Sequence, residues 1–376
     1  MSFSLPAASP RARSLTGVLS DVIASVDGGE STLPAVRSAI LLVVDGLGAR
    51  NLAERAGHAR FLSTAATRRD VATTVFPTTT ASALTSLLTG ADAGEHGIVG
   101  YRVRIPGTDR MANQLSAWDD DAMAPATWQR AEPLLTARGR AGRTSVVVSK
   151  KEFVGSGFTL ATTRGAEFAG IDALRDRVRE AGRVAAARDG VVVYLYVPEL
   201  DGAGHRHGTD STQWTGLLEE ADEAIRELAG RLPRDVGLLV TADHGMLDVP
   251  RHRHILLGEG DPLLADVAEI GGEPRMLHLY AAAGAAGAVL ERWRAAESGR
   301  SWVMSRDEAV AAGLFGSRVD PAVAPRIGDV LVAARADVVY YDDRLADKAA
   351  QRMVGQHGSL TDRERIVPLI RLGAYA

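Results

Sequence analysis

Three aspartates stand just beyond three apolar, β-branched runs. Asp45 follows AILLVV (39–44), Asp201 follows GVVVYLYV (190–197) and Pro198-Glu199-Leu200, and Asp243 follows GLLVTA (237–242). In open parallel sheets ligands gather beyond the carboxyl ends of the strands, so these carboxylates can share one crevice. A strand-end aspartate also serves as a helix cap or turn residue. Histidine separates the two readings: His205 lies at i+4 from Asp201 in DGAGHRHG, and His244 is adjacent to Asp243. An Asp/His pair four apart lies on one helical face and can grip one cation, as can an adjacent pair at a tight turn. His207 can stand in for His205, although its i+2 offset turns it away in a helix. His58, His96, His252, His254 and His278 lack a strand-end carboxylate and read as core or surface residues.

A hydroxyl supplies the remaining chemistry. In VATTVFPTTTASALTSLLTG the turn Pro77-Thr78-Thr79-Thr80 runs directly into a helix-compatible stretch, Ala81–Leu88. The field at a helix N-terminus favours an alkoxide and an anion beside it. Any of the three threonines can instead cap the helix. A threonine nucleophile needs a base or a metal to ionise it, and two metals would supply that.

The elements that must position these groups are short and alternate in type. Besides the three runs above, TSVVV (144–148) reads as a buried strand, and stretches such as 173–187 and 214–232 have helical periodicity. This predicts a mostly parallel sheet covered by helices on both faces, a three-layer α/β/α sandwich. Between about 251 and 325 the pattern loosens into a predicted cap, with a strand-like RMLHLYAA and a helix over 285–296. The expected organisation is a catalytic core of residues 1–250 and 326–376 with a cap at 251–325. Near the N-terminus, Leu15, Val18, Leu19, Val22 and Ile23 predict an amphipathic helix.

With 376 residues, 46% hydrophobic and 24% charged, the chain can bury a sizeable core, and disorder is a poor reading. Its net charge of −4 gives no bulk attraction for nucleic acid or an anionic membrane. The absence of cysteine removes disulfides, thiolate metal sites and thiol nucleophiles, so any metal must be held by His, Asp, Glu or hydroxyl groups. No apolar run approaches the roughly 18 residues of a membrane span, and the N-terminus lacks a signal-peptide core. A cytoplasmic location is expected, with no membrane or nucleic-acid polymer as partner.

The ordered motifs VVVDG, FPTTTASALTSLLTG with HGI, ELDGAGH, TADHG and GQHGS resemble the alkaline phosphatase superfamily. Within it the chain is most similar to the type I phosphodiesterase/nucleotide pyrophosphatase family and its relatives the phosphonoacetate hydrolases. The resemblance runs from about residue 38 to 358. It implies two zinc ions, with manganese or iron as other candidates: Asp201, His205 and His357 resemble the ligands of one, and Asp45, Asp243 and His244 those of the other. Thr80, in the family's Pro-Thr-x-Thr pattern, resembles the nucleophile touching the second metal and forming a phosphothreonine.

Two positions depart from the pattern. Where many relatives carry a phosphate-binding asparagine this chain has Tyr101, whose phenol can still donate to an oxyanion. Where nucleotide-preferring relatives place an aromatic residue after the nucleophile it has Ala81. Lys150 follows the strand 144–148, in a region where phosphonoacetate hydrolases hold a substrate carboxylate; Arg102 and Arg104 are further candidates. The resemblance thus implies a hydrolase of small phosphodiesters or pyrophosphates, with phosphonate or phosphomonoester hydrolysis as the alternative. A sulfatase would need Cys or Ser in place of Thr80, and metal-dependent phosphomutases usually carry a longer insertion. A catalytically silent metal-binding protein fits poorly, because an unused carboxylate cluster would destabilise the metal-free fold.

Overall fold

The computed structural model describes residues 5–6, 12–67, 70–118 and 121–376. Its elements follow from short β-branched runs separated by helices. In chain order, strands of the main sheet include β1 (Ser38–Val44), β2 (Val71–Thr73), β3 (Ser145–Ser149), β4 (Glu167–Gly170), β5 (Val192–Val197) and β6 (Val236–Thr241). The helices include α1 (Val18–Asp27), α2 (Thr80–Thr89), α3 (Gly157–Thr163), α4 (Leu174–Ala187), α5 (Glu199–His207) and α6 (Thr212–Arg231). Four strands form a second sheet: β7 (Val267–Glu273), β8 (Met276–Ala281), β9 (Ser301–Ser305) and β10 (Val330–Ala334). The final strand, β11 (Ile366–Gly373), returns to the main sheet.

The main sheet runs from a short strand at Arg13–Ser14 through β2, β11, β6, β1, β5 and β3 to β4. All of its pairings are parallel except those of β11, which is antiparallel to both β2 and β6. Every residue of β1 is buried, as expected for a central parallel strand covered on both faces. In register, Ala39 faces Val192 on one side and Gly237 on the other, so β6, β1 and β5 end together. That shared edge carries Asp45, Asp201 and Asp243.

The predicted N-terminal helix is present as α1, entered through a 3₁₀ turn at Leu15–Gly17, with Val18, Leu19 and Val22 buried. The second sheet is antiparallel and includes β10, so the strand in DVLVAA pairs with β8 and β9 from the 251–325 stretch and not with the main sheet. All five residues of β10 are buried, and a strand buried on both faces reads alike in whichever sheet it joins.

Two histidines, His96 and His278, are fully buried. His96 Nε2 meets Ser86 Oγ at 2.8 Å while its Nδ1 accepts from the Ile98 amide; His278 Nδ1 accepts from the Gly328 amide. Burial, then nearby Arg326 for His96 and Arg306 for His278, lowers each from the usual 6.5 to about 3. Because the folded value is the lower one, the unfolded chain takes up protons first, so stability is full above pH 6.5 and lost as pH falls toward 3. Between pH 7.5 and 5.5 the two should together remove about 2–3 kcal/mol of unfolding free energy. Urea unfolding at both pH values tests this, and the drop in the His96→Gln variant should be smaller than that of the wild type by about 1 kcal/mol. An equal drop in wild type and variant would remove His96 from the account.

Candidate active site

The cluster at the shared strand edge is assembled from five chain segments. Asp45 leaves β1 and is followed by Gly46, whose φ of +75° is in the left-handed region. A Cβ there would sit 3.2 Å from both Cα and Cβ of Asp201, so this turn lets the two aspartates approach. Asp201 lies in the first turn of α5, one turn before His205. Asp243 and His244 follow β6, and His357 follows a short strand, Gly355–Gln356, that pairs with Leu247–Asp248. Thr80 opens α2, a helix whose ten residues are all buried.

Ligand atoms of Asp45, Asp243 and His244 lie within 4.8 Å of one another, and so do those of Asp201, His244 and His357. His205 Nε2 is 3.4 Å from Asp201 Oδ1 and 3.2 Å from His357 Nε2. The His244 and His357 rings stack at 3.6 Å between centroids, so His244 stands between the two groups. His207 is exposed on α5 and takes no part.

Hydrogen bonds leave one face of each ligand free. His205 Nδ1 lies 2.8 Å from the Gly355 carbonyl, His357 Nδ1 2.8 Å from that of Thr78, and His244 Nδ1 3.2 Å from that of Gly245. A carbonyl only accepts, so each Nδ1 carries a proton and each Nε2 is the ring nitrogen turned toward the cluster. The carboxylates are held likewise. Asp45 Oδ2 accepts from the Tyr196 hydroxyl, and Asp243 Oδ1 accepts from the amides of Gly46 (3.2 Å) and His244 (3.0 Å). Asp45 Oδ1, Asp201 Oδ1 and Asp243 Oδ2 are buried without a hydrogen-bond partner. Burial, then the charges of Asp243 and Asp201, push the Asp45 carboxyl well above the usual range. Burial, then His244 and His205, hold His357 far below its ordinary value and keep it neutral. Orphaned carboxylate oxygens facing imidazole Nε2 atoms fit one or two divalent cations, and this donor set of oxygen and nitrogen without sulfur suits zinc, manganese or iron.

The three threonines have separate roles. Thr78 Oγ1 donates to the Ser359 carbonyl and accepts from the Gly358 amide, tying the turn to the His357 loop. Thr79 is the residue before α2, with its side chain on Glu273. Thr80 Oγ1 faces the cluster, 3.1 Å from His244 Nε2, which is the position of a hydroxyl aimed at a metal and not of a cap.

Each of the other sequence candidates has a contact within the protein. The Tyr101 ring is exposed, and its amide donates to Glu273 Oε2 at 3.0 Å. Lys150 Nζ is 3.6 Å from Glu152 and 3.9 Å from Glu199, and Glu199 is also bound by Arg177. Arg102 donates to the Ile270 carbonyl and Arg104 stacks on Tyr280.

The turn between β7 and β8 holds residues that spacing and motif could not reveal. Arg275 and Glu364, both fully buried, pair through two bonds of 2.8 and 3.0 Å. Glu364 also accepts from the Ser359 amide, while its carbonyl accepts from that of Gly245, so one pair steadies the loops of His357 and His244. Glu273 packs against Gly358, where a Cβ would come within 2.5 Å of its Cγ. Arg275 and Glu364 are 89 residues apart, and neither sits at a metal-ligand spacing.

Residues 39–360 match the family model for type I phosphodiesterase / nucleotide pyrophosphatase. Among solved structures, murine ectonucleotide pyrophosphatase/phosphodiesterase 5 superposes with a TM-score of 0.69 at 20% identity, covering 88% of this chain and 87% of that one. An inactive form of the same murine protein in complex with AMP gives 0.70 at 19% identity, covering 89% and 88%. Phosphonoacetate hydrolase from Sinorhizobium meliloti 1021, in complex with phosphonoformate, gives 0.67 at 19% identity, covering 90% and 91%. No curated protein sequence matches.

Proposed function

The chain belongs to the type I phosphodiesterase / nucleotide pyrophosphatase family and is a phosphoester hydrolase, and from that premise we propose that it cleaves small phosphodiesters or pyrophosphates through a phosphothreonine on Thr80. The reading is carried by the three orphaned carboxylate oxygens, of Asp45, Asp201 and Asp243, gathered beside Thr80. Asp201, His205 and His357 would hold one zinc ion, and Asp45, Asp243 and His244 the other. When bound, the pair supplies Lewis acidity toward the Thr80 hydroxyl and the phosphoryl oxygens.

The chain's own residues do the rest. Thr80 Oγ1 gives up its proton to solvent and attacks phosphorus; the Oγ–P bond forms, the bond to the leaving oxygen breaks, and that oxygen takes up a proton from solvent. Its place at the N-terminus of α2 favours the alkoxide. Water then attacks the phosphothreonine, releases the phosphoryl product and restores the hydroxyl. The Nδ1 contacts of the three histidines fix the ring orientations throughout.

Catalytic efficiency of the zinc-reconstituted protein on bis(p-nitrophenyl) phosphate and on p-nitrophenyl phosphate tests the reading. We expect preference for the diester. Preference for the monoester, or turnover of phosphonoacetate alone, would transfer the site to another substrate class. His357→Ala should lose about one of two metal equivalents by elemental analysis, and two tightly held ions in that variant would remove His357 from the ligands.

A further inference from the structure

Beside Thr80 the fold leaves a cavity of about 400 Å³ that the metal ligands do not line. Its walls come from α2, β3, β5 and the segment running into α3, and six of its lining residues are aromatic: Trp118, Phe153, Phe158, Phe168, Tyr194 and Tyr196. Leu84 and Leu88, one and two turns along α2 from Thr80, continue the apolar surface inward. No charged side chain lines it among the described residues.

Most hydroxyls in the wall are already spent on the protein. Ser156 donates to Thr159 Oγ1, Thr159 to the Phe153 carbonyl, Thr162 to that of Phe158, and Thr163 to that of Thr159. Each therefore offers mainly carbon to the cavity. Two buried polar atoms of the lining have no partner, Ser149 Oγ and Trp118 Nε1.

This lining decides between kinds of occupant. A carboxylate or second phosphate would need a cation that the wall lacks, and burying a bare charge there is prohibitive. A nucleobase carries several donors and acceptors, most of which would be left unpaired against carbon, each at a cost of about 1–3 kcal/mol. An uncharged aromatic or alkyl group gains from every buried carbon. We propose that this cavity is the subsite for the organic substituent of the phosphoester, and that the substituent is uncharged and apolar. The inference rests on the hydrolase reading above, because it takes Thr80 as the point of attack.

Alkyl p-nitrophenyl phosphates from methyl to hexyl, with the phenyl ester as the aromatic arm, test it on the zinc-loaded protein. Efficiency should rise about fourfold per added methylene over the first few carbons. Whether the phenyl or the hexyl ester leads tells an aromatic from an alkyl occupant. In Thr163→Phe, which fills the cavity, the hexyl-to-methyl ratio should fall toward one; Ser149→Leu reads the same ratio if that variant fails to fold. A readout without turnover is the neutral fluorophore N-phenyl-1-naphthylamine, which should bind one to one and at least about tenfold more weakly in the filled variant. Methyl-ester turnover with a flat chain-length series, or greater efficiency on thymidine 5′-(p-nitrophenyl phosphate) than on the hexyl ester, would overturn the subsite and leave the hydrolase reading intact. Turnover of no phosphoester would overturn the hydrolase reading, and the subsite's role with it.

Discussion

Thr80→Ala should fold, bind its metals as the wild type does, and lose turnover of a p-nitrophenyl phosphodiester by about 10⁴-fold or more. The magnitude follows from removing the attacking atom: nucleophile knockouts cost orders of magnitude, and what remains comes from positioning and electrostatics. The fold should survive, because the Thr80 hydroxyl makes no capping bond and its described partner is His244 Nε2. Alanine also suits the first helical position. Three measurements on one sample decide the matter: metal content, thermal unfolding and initial rate. Near-normal hydrolysis by a folded, zinc-loaded variant would sink the nucleophile assignment. Incubation with substrate followed by acid quench adds a second view. Wild type should trap a phosphoryl group on the peptide containing residue 80, and the variant should not.

Arg275→Met should destabilise the protein by about 3–5 kcal/mol, the usual cost of stripping the partner from a buried charge. Glu364 is fully buried and would keep its carboxylate without its guanidinium. Arg275 also donates to the carbonyls of Ala334, Ala336 and Val338, which would be left short of donors. The effect should extend to the site, since Glu364 holds Ser359, two residues beyond His357, and Gly245, next to His244. Denaturant unfolding of the metal-free protein gives the stability term, and zinc titration gives the second. The double variant Arg275→Met/Glu364→Gln should recover part of the lost stability, because no uncompensated charge is left inside. A single-variant loss below about 1 kcal/mol with unchanged zinc affinity would show that the pair does not steady these loops.

Much of this protein was legible before its fold. The β-branched runs at 39–44, 190–197 and 237–242 became three adjacent parallel strands. Asp45, Asp201 and Asp243 were readable because strand direction alone sends every carboxyl end of a parallel sheet to one edge. The Asp201/His205 pair needed only the helical period, which also turned His207 to solvent. His357 became visible through family resemblance alone, because a histidine in a glycine-flanked loop carries no local signal.

Other features belonged to tertiary structure. Which threonine faces the cluster depended on where the Gly358–Ser359 loop and Glu273 took up Thr78 and Thr79. DVLVAA joined the second sheet because a uniformly buried strand has no pattern that names its neighbour. The Arg275–Glu364 pair and the cavity beside Thr80 are made by residues far apart in the chain, each ordinary by itself. The sequence by itself determined the local periods, the strand ends and the chemical types of the candidate site residues, because these depend on near neighbours and on backbone geometry. Tertiary structure alone decided which hydroxyl faces the carboxylate cluster, what steadies the loops of His244 and His357 and what lies beside Thr80, because each of these depends on long-range contacts that no local pattern encodes.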